Sequence, residues 1–227
     1  MRSPQNRLLS STLATVLGLV VASGAAQAQD NMIKFGVVYY DTHSSTSGLT
    51  ATPPVLPAGA DAKTGDATTV VFAYERALTP NIGIKLDLGW PPTIKADATG
   101  PIAGLGEILS AKNVSPTVFL TYAFGQPGDT WRPSVAAGLN YTYFADAKSP
   151  YSTDIDMSDS WGLALQVGLD YAIDKNWGLF ASVTRIDVKT DVVARGVRVP
   201  GVPVPIDLST SVDFKPWTYS VGLSYRF

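Results

Sequence analysis

Apolar and polar residues alternate with a period of two along most of this chain. The clearest run, residues 82–90, is apolar at every second position: Ile82, Ile84, Leu86, Leu88 and Trp90. Such alternation indicates a β-strand with one apolar face. Weaker or equal signals cover seven more segments: residues 33–40, 67–76, 114–125, 131–144, 159–173, 176–190 and 212–227. The sequence therefore predicts eight strands, many long enough for a tilted membrane crossing of about 9–11 residues.

The connections between these strands alternate in length. Long ones cover residues 41–66, 91–113, 145–158 and 191–211, and short ones lie near residues 78–81, 126–130 and 174–175. This pattern is typical of an up-and-down antiparallel barrel, with short turns in the periplasm and long loops outside. Within residues 176–190 the apolar positions change phase near Arg185, which predicts a β-bulge there.

Composition decides whether the apolar faces meet a core or lipid. The opposite faces carry mainly Gly, Ala, Ser and Thr, and only 16% of the chain is charged, against about 25% in ordinary domains. Phe119 is the one bulky residue on such a face in its strand. Aromatic residues such as Trp90, Trp161 and Trp217 lie near the ends of the apolar faces, where they suit a membrane interface. We predict an all-β, eight-stranded antiparallel up-and-down transmembrane β-barrel in the cell outer membrane.

The first residues have the features of a secretory leader. Arg2 and Arg7 flank an apolar stretch, residues 8–22, and a small-x-small site follows at Ala26-Gln27-Ala28. This order is typical of a cleaved signal peptide. We expect residues 1–28 to be removed and residues 29–227 to form one barrel domain.

Several functional classes are disfavoured. Without the leader the chain has fifteen basic and nineteen acidic residues, a mild acidic excess that argues against nucleic-acid partners. The absence of cysteine excludes disulfides and thiol catalysis. His43 lies beside Asp41 and Ser44, but an extended strand would point Ser44 away from the other two, so no catalytic triad is expected. We expect no enzyme activity and no cofactor.

The third long loop is acidic, with Asp154, Asp156 and Asp159. These residues lack the glycine and the distal glutamate of a calcium-binding loop. We therefore expect a solvated acidic loop that has no metal site of its own and is bridged to lipopolysaccharide by divalent ions.

Charged and amide side chains fall on the inward faces of the predicted strands. They are Lys85, Asp87, Arg132, Gln166, Asp170 and Arg226. Opposite charges inside so narrow a barrel are expected to pair. The set is either a structural network or a constriction that blocks water and ions, and the two roles are compatible.

The long loops are unusually apolar for exposed segments. Their large apolar residues include Val55, Leu56, Ile94, Ile102, Leu105, Ile108, Leu109, Val202 and Ile206. Exposed apolar surface usually marks a binding site. The loops either extend the barrel and pack on one another above the membrane, or form a hydrophobic funnel for a substrate.

Four segments resemble the OmpW family of small outer-membrane proteins, which includes AlkL-like members. They are NVSPTVFLTYAFG (113–125), WRPSVAAGLNYTYF (131–144), DSWGLALQVGLDYAIDKNWGLFASV (159–183) and KPWTYSVGLSYRF (215–227). The resemblance implies an eight-stranded barrel with a narrow, partly hydrophobic interior. It also implies that Tyr225 and Phe227 belong to a C-terminal signal read by the outer-membrane assembly machinery. The second and fourth loops depart from the family motifs, which leaves the substrate open.

The expected function is that of a passive channel or binding protein for small hydrophobic molecules, embedded in outer-membrane lipid. The alternative is a non-transporting surface barrel for adhesion, envelope integrity, or phage or bacteriocin attachment. The two differ in whether an apolar path leads from the loops into or through the wall.

Overall fold

A computed structural model describes residues 31–42, 44–199 and 204–227 of the chain. Three sequence-based expectations lie outside the described residues: the signal peptide, the role of His43, and the place of Val202. Among the residues that the structure describes, no helix is long and apolar enough to cross a membrane.

The described residues form sixteen strands and one short 3-10 helix, Gly100–Leu105. The strands are β1 (Asn31–Asp41), β2 (Ser44–Thr46), β3 (Thr50–Thr52), β4 (Asp61–Thr64), β5 (Ala67–Ala77), β6 (Ile82–Gly89), β7 (Thr93–Thr99), β8 (Glu107–Val114), β9 (Thr117–Ala123), β10 (Trp131–Lys148), β11 (Asp154–Met157), β12 (Ser160–Ala172), β13 (Trp177–Ile186), β14 (Val188–Val197), β15 (Ile206–Phe214) and β16 (Trp217–Arg226).

Eight of these strands close into an antiparallel barrel, in the order β1, β5, β6, β9, β10, β12, β13 and β16. The barrel closes because β16 also pairs with β1, from Met32 opposite Arg226 to Asp41 opposite Trp217. Each strand thus pairs with its neighbours in the barrel order, and the predicted fold class is confirmed. Residues 78–81, 124–130 and 173–176 connect strands at one end, which we call the short-turn end. The opposite, long-loop end carries the long connections.

The predicted bulge near Arg185 is wrong. The ladders of β13 stay in register through Arg185, opposite Leu165 on one side and Trp217 on the other. The chain instead leaves the barrel at Asp187, whose N–H donates to the carbonyl of Leu163 at 2.9 Å. The phase of the apolar positions changes because β13 and β14 belong to different sheets.

The long connections, predicted as loops, consist mostly of strands. In one sheet β11, β14, β15 and β2 follow in order, with β3 also on β15. On the other side, β8 pairs with the end of β10 beyond Thr142, β7 pairs with β8, and β4 pairs with β7. The two groups of strands, together called the extension here, rise above the barrel at its long-loop end.

The barrel wall presents its apolar side chains outward. Trp161 is 74% exposed and Val167 is 63% exposed, as expected of side chains that face lipid. Aromatic pairs lie near both ends of the wall: Trp131 with Tyr171 and Trp177 with Tyr225 at the short-turn end, and Tyr141 with Trp161 and Tyr39 with Tyr219 at the long-loop end. These two rings of aromatic residues mark the limits of the membrane-spanning band.

Replacing Val167 with arginine tests this placement, because Val167 lies midway between Trp161 and Tyr171 on β12. A lipid-facing arginine at mid-membrane should lower the free energy of unfolding by about 2–4 kcal/mol, and one near the interface by about 0–1 kcal/mol. Trp161→Arg is the matched control. Urea unfolding of the barrel in lipid vesicles measures both, and equal losses would contradict the assigned depth.

Candidate functional site: an apolar chamber above a plugged barrel

A cavity of about 110 Å³ lies between the two groups of strands in the extension. We call it the chamber. Its lining is almost entirely apolar and comes from eight strands and the connections between them. The large apolar residues of this lining are Leu49, Leu56, Ile94, Ile102, Leu105, Ile108, Leu109, Phe144, Tyr151, Ile155, Met157, Val192, Val197, Val199, Leu208, Val212 and Phe214.

The structure brings together most of the apolar residues singled out in the sequence. Those that line the chamber are Leu56, Ile94, Ile102, Leu105, Ile108 and Leu109. Ile206 is buried beside it, in a small cluster with Ala51 and Val197. Val55 does not line the chamber and is 43% exposed. The segments therefore pack on one another and also enclose an apolar space, and its use by a substrate stays a prediction.

Sequence reasoning missed the part of the lining that comes from strand extensions. Phe144 lies on β10, Val192 on β14, and Val212 and Phe214 on β15. A signal was present, because Val212 and Phe214 keep a period of two within one strand. The fourth connection was predicted to be a loop from its length, and Gly196 within it has a positive φ of 61°.

A buried hydrogen-bond network lies below the chamber, where β10 leaves β9. The Asn140 side chain is completely buried, and its Nδ2 donates to Ser115 Oγ and to Thr117 Oγ1, both at 2.8 Å. Thr142 Oγ1 donates to Asn140 Oδ1 at 2.7 Å. The network satisfies these polar groups inside the barrel and leaves them unavailable to a passing solute.

Phe119 and Lys85 fill the lumen at the next level. Phe119 is only 1% exposed, and Lys85 Nζ lies 4.9 Å from the centre of its ring, a cation–π contact. Lys85 also bonds to Gln166 and lies 3.3 Å from an Asp87 oxygen. Gly138 makes room for the ring, because a Cβ at this position would lie 2.7 Å from Phe119 Cδ1.

A second group of charges lies closer to the short-turn end. Lys34 Nζ is 2.7 Å from an Asp170 oxygen and 3.3 Å from a Glu75 oxygen, and it lies 5.7 Å from the ring centre of Phe180. A Cβ on Gly222 would be 2.8 Å from Phe180 Cε1, so glycine is required beside this ring as well. We call the two levels, with Phe119 and Phe180, the plug.

The structure brings together four of the six residues predicted to form a lumen network. Lys85, Asp87, Gln166 and Asp170 belong to the plug, but Lys34 and Glu75 were missed. Both occupy inward positions of strands whose alternation is weak. Arg132 and Arg226 line a separate polar vestibule of about 810 Å³ at the short-turn end, and neither forms an ion pair with another described residue. Arg132 instead donates to the carbonyl of Pro80 at 2.8 Å.

The remaining candidates lie on the outer surfaces. Asp154 and Asp156 pair with Arg195 across β11 and β14, and their hydrogen bonds and charges raise the pKa of its guanidinium. In the part of the chain that the structure describes, no group of three or more His, Cys, Asp or Glu could hold a metal ion.

Tyr225 and Phe227 lie at the short-turn end with ring centres 6.2 Å apart. Their part in assembly stays a prediction.

The model of one protein family, the OmpW family, matches residues 27–227. The chain belongs to the OmpW family. It is 29% identical to outer membrane protein W of Vibrio cholerae, over 94% of this chain and 99% of that protein. It is also 29% identical to the dibenzothiophene metabolism operon protein PahQ of Pseudomonas aeruginosa, over 76% of this chain and 77% of that protein.

A solved structure has the same fold as this OmpW-family chain. The outer membrane protein OprG from Pseudomonas aeruginosa superposes with a TM-score of 0.79, covering 88% of this chain and 97% of OprG at 24% identity. The sequence resemblance is thus confirmed, and this protein is an outer-membrane β-barrel.

The plug should make the barrel a poor conductor of ions, since Phe119 and Phe180 occlude the lumen at two levels. Phe119→Ala combined with Phe180→Ala removes both rings beside Gly138 and Gly222, and we expect a several-fold rise in single-channel conductance in planar bilayers. The control is Phe35→Ala with Phe72→Ala. These two residues lie on the outer face, with their ring centres 4.8 Å apart. A high ion conductance of the wild-type barrel would contradict the occlusion of the lumen by the plug.

Lys34 should be important for stability. Lys34→Met leaves Glu75 and Asp170 buried without their cation, a change that typically costs about 3–5 kcal/mol. Lys95→Met breaks an exposed pair with Glu107 in the extension and should cost far less. Urea unfolding in lipid vesicles compares the two variants. Equal losses would mean that the buried ion pairs do not stabilise the barrel.

Proposed function

We propose that this protein passes small hydrophobic molecules across the outer face of the membrane, passively and without catalysis. One observation carries the proposal: the apolar chamber lies at the long-loop end, directly above a lumen closed by charged and aromatic side chains. The long-loop end of bacterial outer-membrane barrels faces the outside. A molecule arriving from outside would therefore meet the chamber first.

The chamber provides the free energy for capture. Each CH₂ group removed from water contributes about 0.8 kcal/mol, so a six-carbon solute gains roughly 5 kcal/mol before its loss of freedom is subtracted. Apolar cavities of about 150 Å³ bind benzene, and the chamber is of similar size. The affinity expected from these values is modest, as a transport site requires.

The plug opposes a straight route to the periplasm. Lys34 and Lys85 are nearly fully buried and hold their partners at hydrogen-bond distance. An apolar solute would have to separate these charges without replacing their hydrogen bonds, which is costly in a narrow lumen. We therefore propose a sideways exit into the membrane above the plug.

The extension offers a place for such an exit at the outer boundary of the membrane-spanning band, just beyond Tyr141 and Trp161. Above Thr142, β10 pairs with β8, whereas β11 pairs with β14, so no backbone ladder joins β10 to β11. Phe144 of β10 and Met157 of β11 both line the chamber at this seam. Side chains can separate here without breaking a strand pair.

The name of one relative agrees with this class of substrate. PahQ of Pseudomonas aeruginosa is named for an operon of dibenzothiophene metabolism, and dibenzothiophene is an apolar aromatic molecule. The proposal extends this class to the present chain because its chamber is apolar. We also propose that the barrel contacts outer-membrane lipid and lipopolysaccharide, and that the outer-membrane assembly machinery inserts it.

Uptake into vesicles tests the proposal. Leu105→Ser with Leu109→Ser should lower uptake of a small hydrocarbon about tenfold, because both side chains line the chamber and their loss weakens apolar capture. Lys85→Ala with Asp87→Ala changes the plug instead and should leave uptake within about twofold. Folding of each variant is checked by its strand signal in circular dichroism.

Loss of uptake in the plug pair but not in the chamber pair would contradict capture by the chamber. If wild-type barrels add nothing to the uptake of bare lipid vesicles, the alternative role as a surface protein for adhesion or attachment replaces transport.

A further inference from the structure

The vestibule at the short-turn end has more cations than anions in its wall. Its charged lining residues are Arg76, Arg132, Lys175 and Arg226 on the basic side, and Glu75 and Asp174 on the acidic side. The short-turn end of an outer-membrane barrel faces the periplasm. The proposed function makes no use of this space, because the plug lies between it and the chamber.

Both carboxylates of the vestibule are already engaged. Glu75 lies 3.3 Å from Lys34 Nζ, in the plug. Asp174 accepts hydrogen bonds from the backbone N–H groups of Asn176 and Trp177 at 2.8 and 2.7 Å, within a turn. Neither carboxylate therefore neutralises an arginine of the vestibule at close range.

Two further carboxylates near Arg132 are committed in the same way. Asp170 contacts Lys34 Nζ with both of its oxygens, at 2.7 and 2.9 Å. Asp129 is held by its own turn, where it accepts a hydrogen bond from a backbone N–H at 2.7 Å. The part of the chain that the structure describes thus gives Arg132 and Arg226 no ion-pair partner.

Arg132 and Arg226 are close neighbours. Together with Lys175 they also line a smaller cavity of about 20 Å³, and the like charges of the two arginines repel each other. Arg132 is held by one hydrogen bond, from its Nη2 to the carbonyl of Pro80 at 2.8 Å. The Arg226 side chain donates to no described residue. Most N–H groups of the two guanidinium groups therefore lack an acceptor among the described residues.

Two neighbouring guanidinium groups favour an oxyanion between them. Water can satisfy their N–H groups, but only an anion also offsets the repulsion between their charges. The planar fork of arginine matches the oxygens of a carboxylate or a phosphate. A phosphate group presents at least three acceptor oxygens and up to two negative charges, so it can accept hydrogen bonds from both arginines at once.

We infer that the vestibule is a binding site for a phosphate group, which Arg132 and Arg226 hold between them with Lys175 beside it. The volume of about 810 Å³ leaves room for a larger molecule that carries the phosphate. The group can belong to a soluble phosphate of the periplasm or to the headgroup of a phospholipid in the periplasmic leaflet, since both present the same oxygens. The site lies beyond the proposed function and does not depend on it.

Titration of the complete barrel in a maltoside detergent, which contains no phosphate, tests the site. Inorganic phosphate is the probe in the first series, and its binding is measured by isothermal titration calorimetry. Phosphatidylglycerol, added to the micelles in a second series, is the probe for the lipid source, and its headgroup is followed by phosphorus NMR. Binding that depends on the vestibule arginines supports the inference, and the series in which it occurs identifies the source.

We expect Arg132→Met and Arg226→Met each to weaken binding about tenfold, the effect of one charge-assisted hydrogen bond. Lys175→Met, in an exposed turn, should weaken it about threefold and serves if an arginine variant does not fold. The matched control is Arg195→Met, which removes the same charge from the extension, where it is paired with aspartate, and it should leave binding within about twofold. Circular dichroism checks the strand content of each variant.

The inference is overturned if neither probe binds to the wild-type barrel, or if binding is unchanged in the folded vestibule variants. An equal loss in Arg195→Met overturns it as well, because the phosphate group would then respond to the net charge of the barrel rather than to the vestibule. None of these outcomes bears on the chamber, so the proposed function stands or fails by its own uptake experiment.

Discussion

The closed ladder of backbone hydrogen bonds is the constraint on which the rest of the structure depends. In lipid, an unpaired N–H or C=O group costs several kcal/mol, so a sheet can span the membrane only when it has no free edge. Here β16 completes the circle by pairing with β1 over ten residue positions. Closure then assigns every second side chain to lipid and the others to a narrow interior, and the alternation of apolar with small or charged residues follows from it.

Closure with eight strands also determines what the interior can be. A lumen of this size is just wide enough for side chains to fill it, and in this chain two phenylalanine rings and two buried lysines do so. Each ring fits because a glycine faces it, Gly138 beside Phe119 and Gly222 beside Phe180. At the level of the plug the result is a filled lumen with little room for a solute, so we place apolar binding in the part of the chain above it.

The extension is not subject to this constraint, because water can form hydrogen bonds with the unpaired backbone groups at its strand edges. Its strands need not close, and the chain divides into two groups that meet through side chains at the β10 and β11 seam. Apolar residues that would be exposed on loops instead face one another and enclose the chamber. Packing removes most of this apolar surface from water. The space that remains is where the structure can distinguish one solute from another.

The number of barrel strands, the lipid-facing side and six of the seventeen large apolar chamber residues could be predicted from the sequence, because alternation is a local property of an extended chain. Leu105 and Leu109 were recognisable as apolar residues in a long connection, and Lys85 as an inward charge. The hydrogen-bond and ion-pair partners of the inward charges were not predictable. Lys34 meets Asp170 across 136 residues and Lys85 meets Gln166 across 81, contacts that depend on closure and register. Likewise, only the tertiary structure decided that Arg132 and Arg226 line a vestibule and that the long connections form two groups of strands, since each depends on which distant segments pack together.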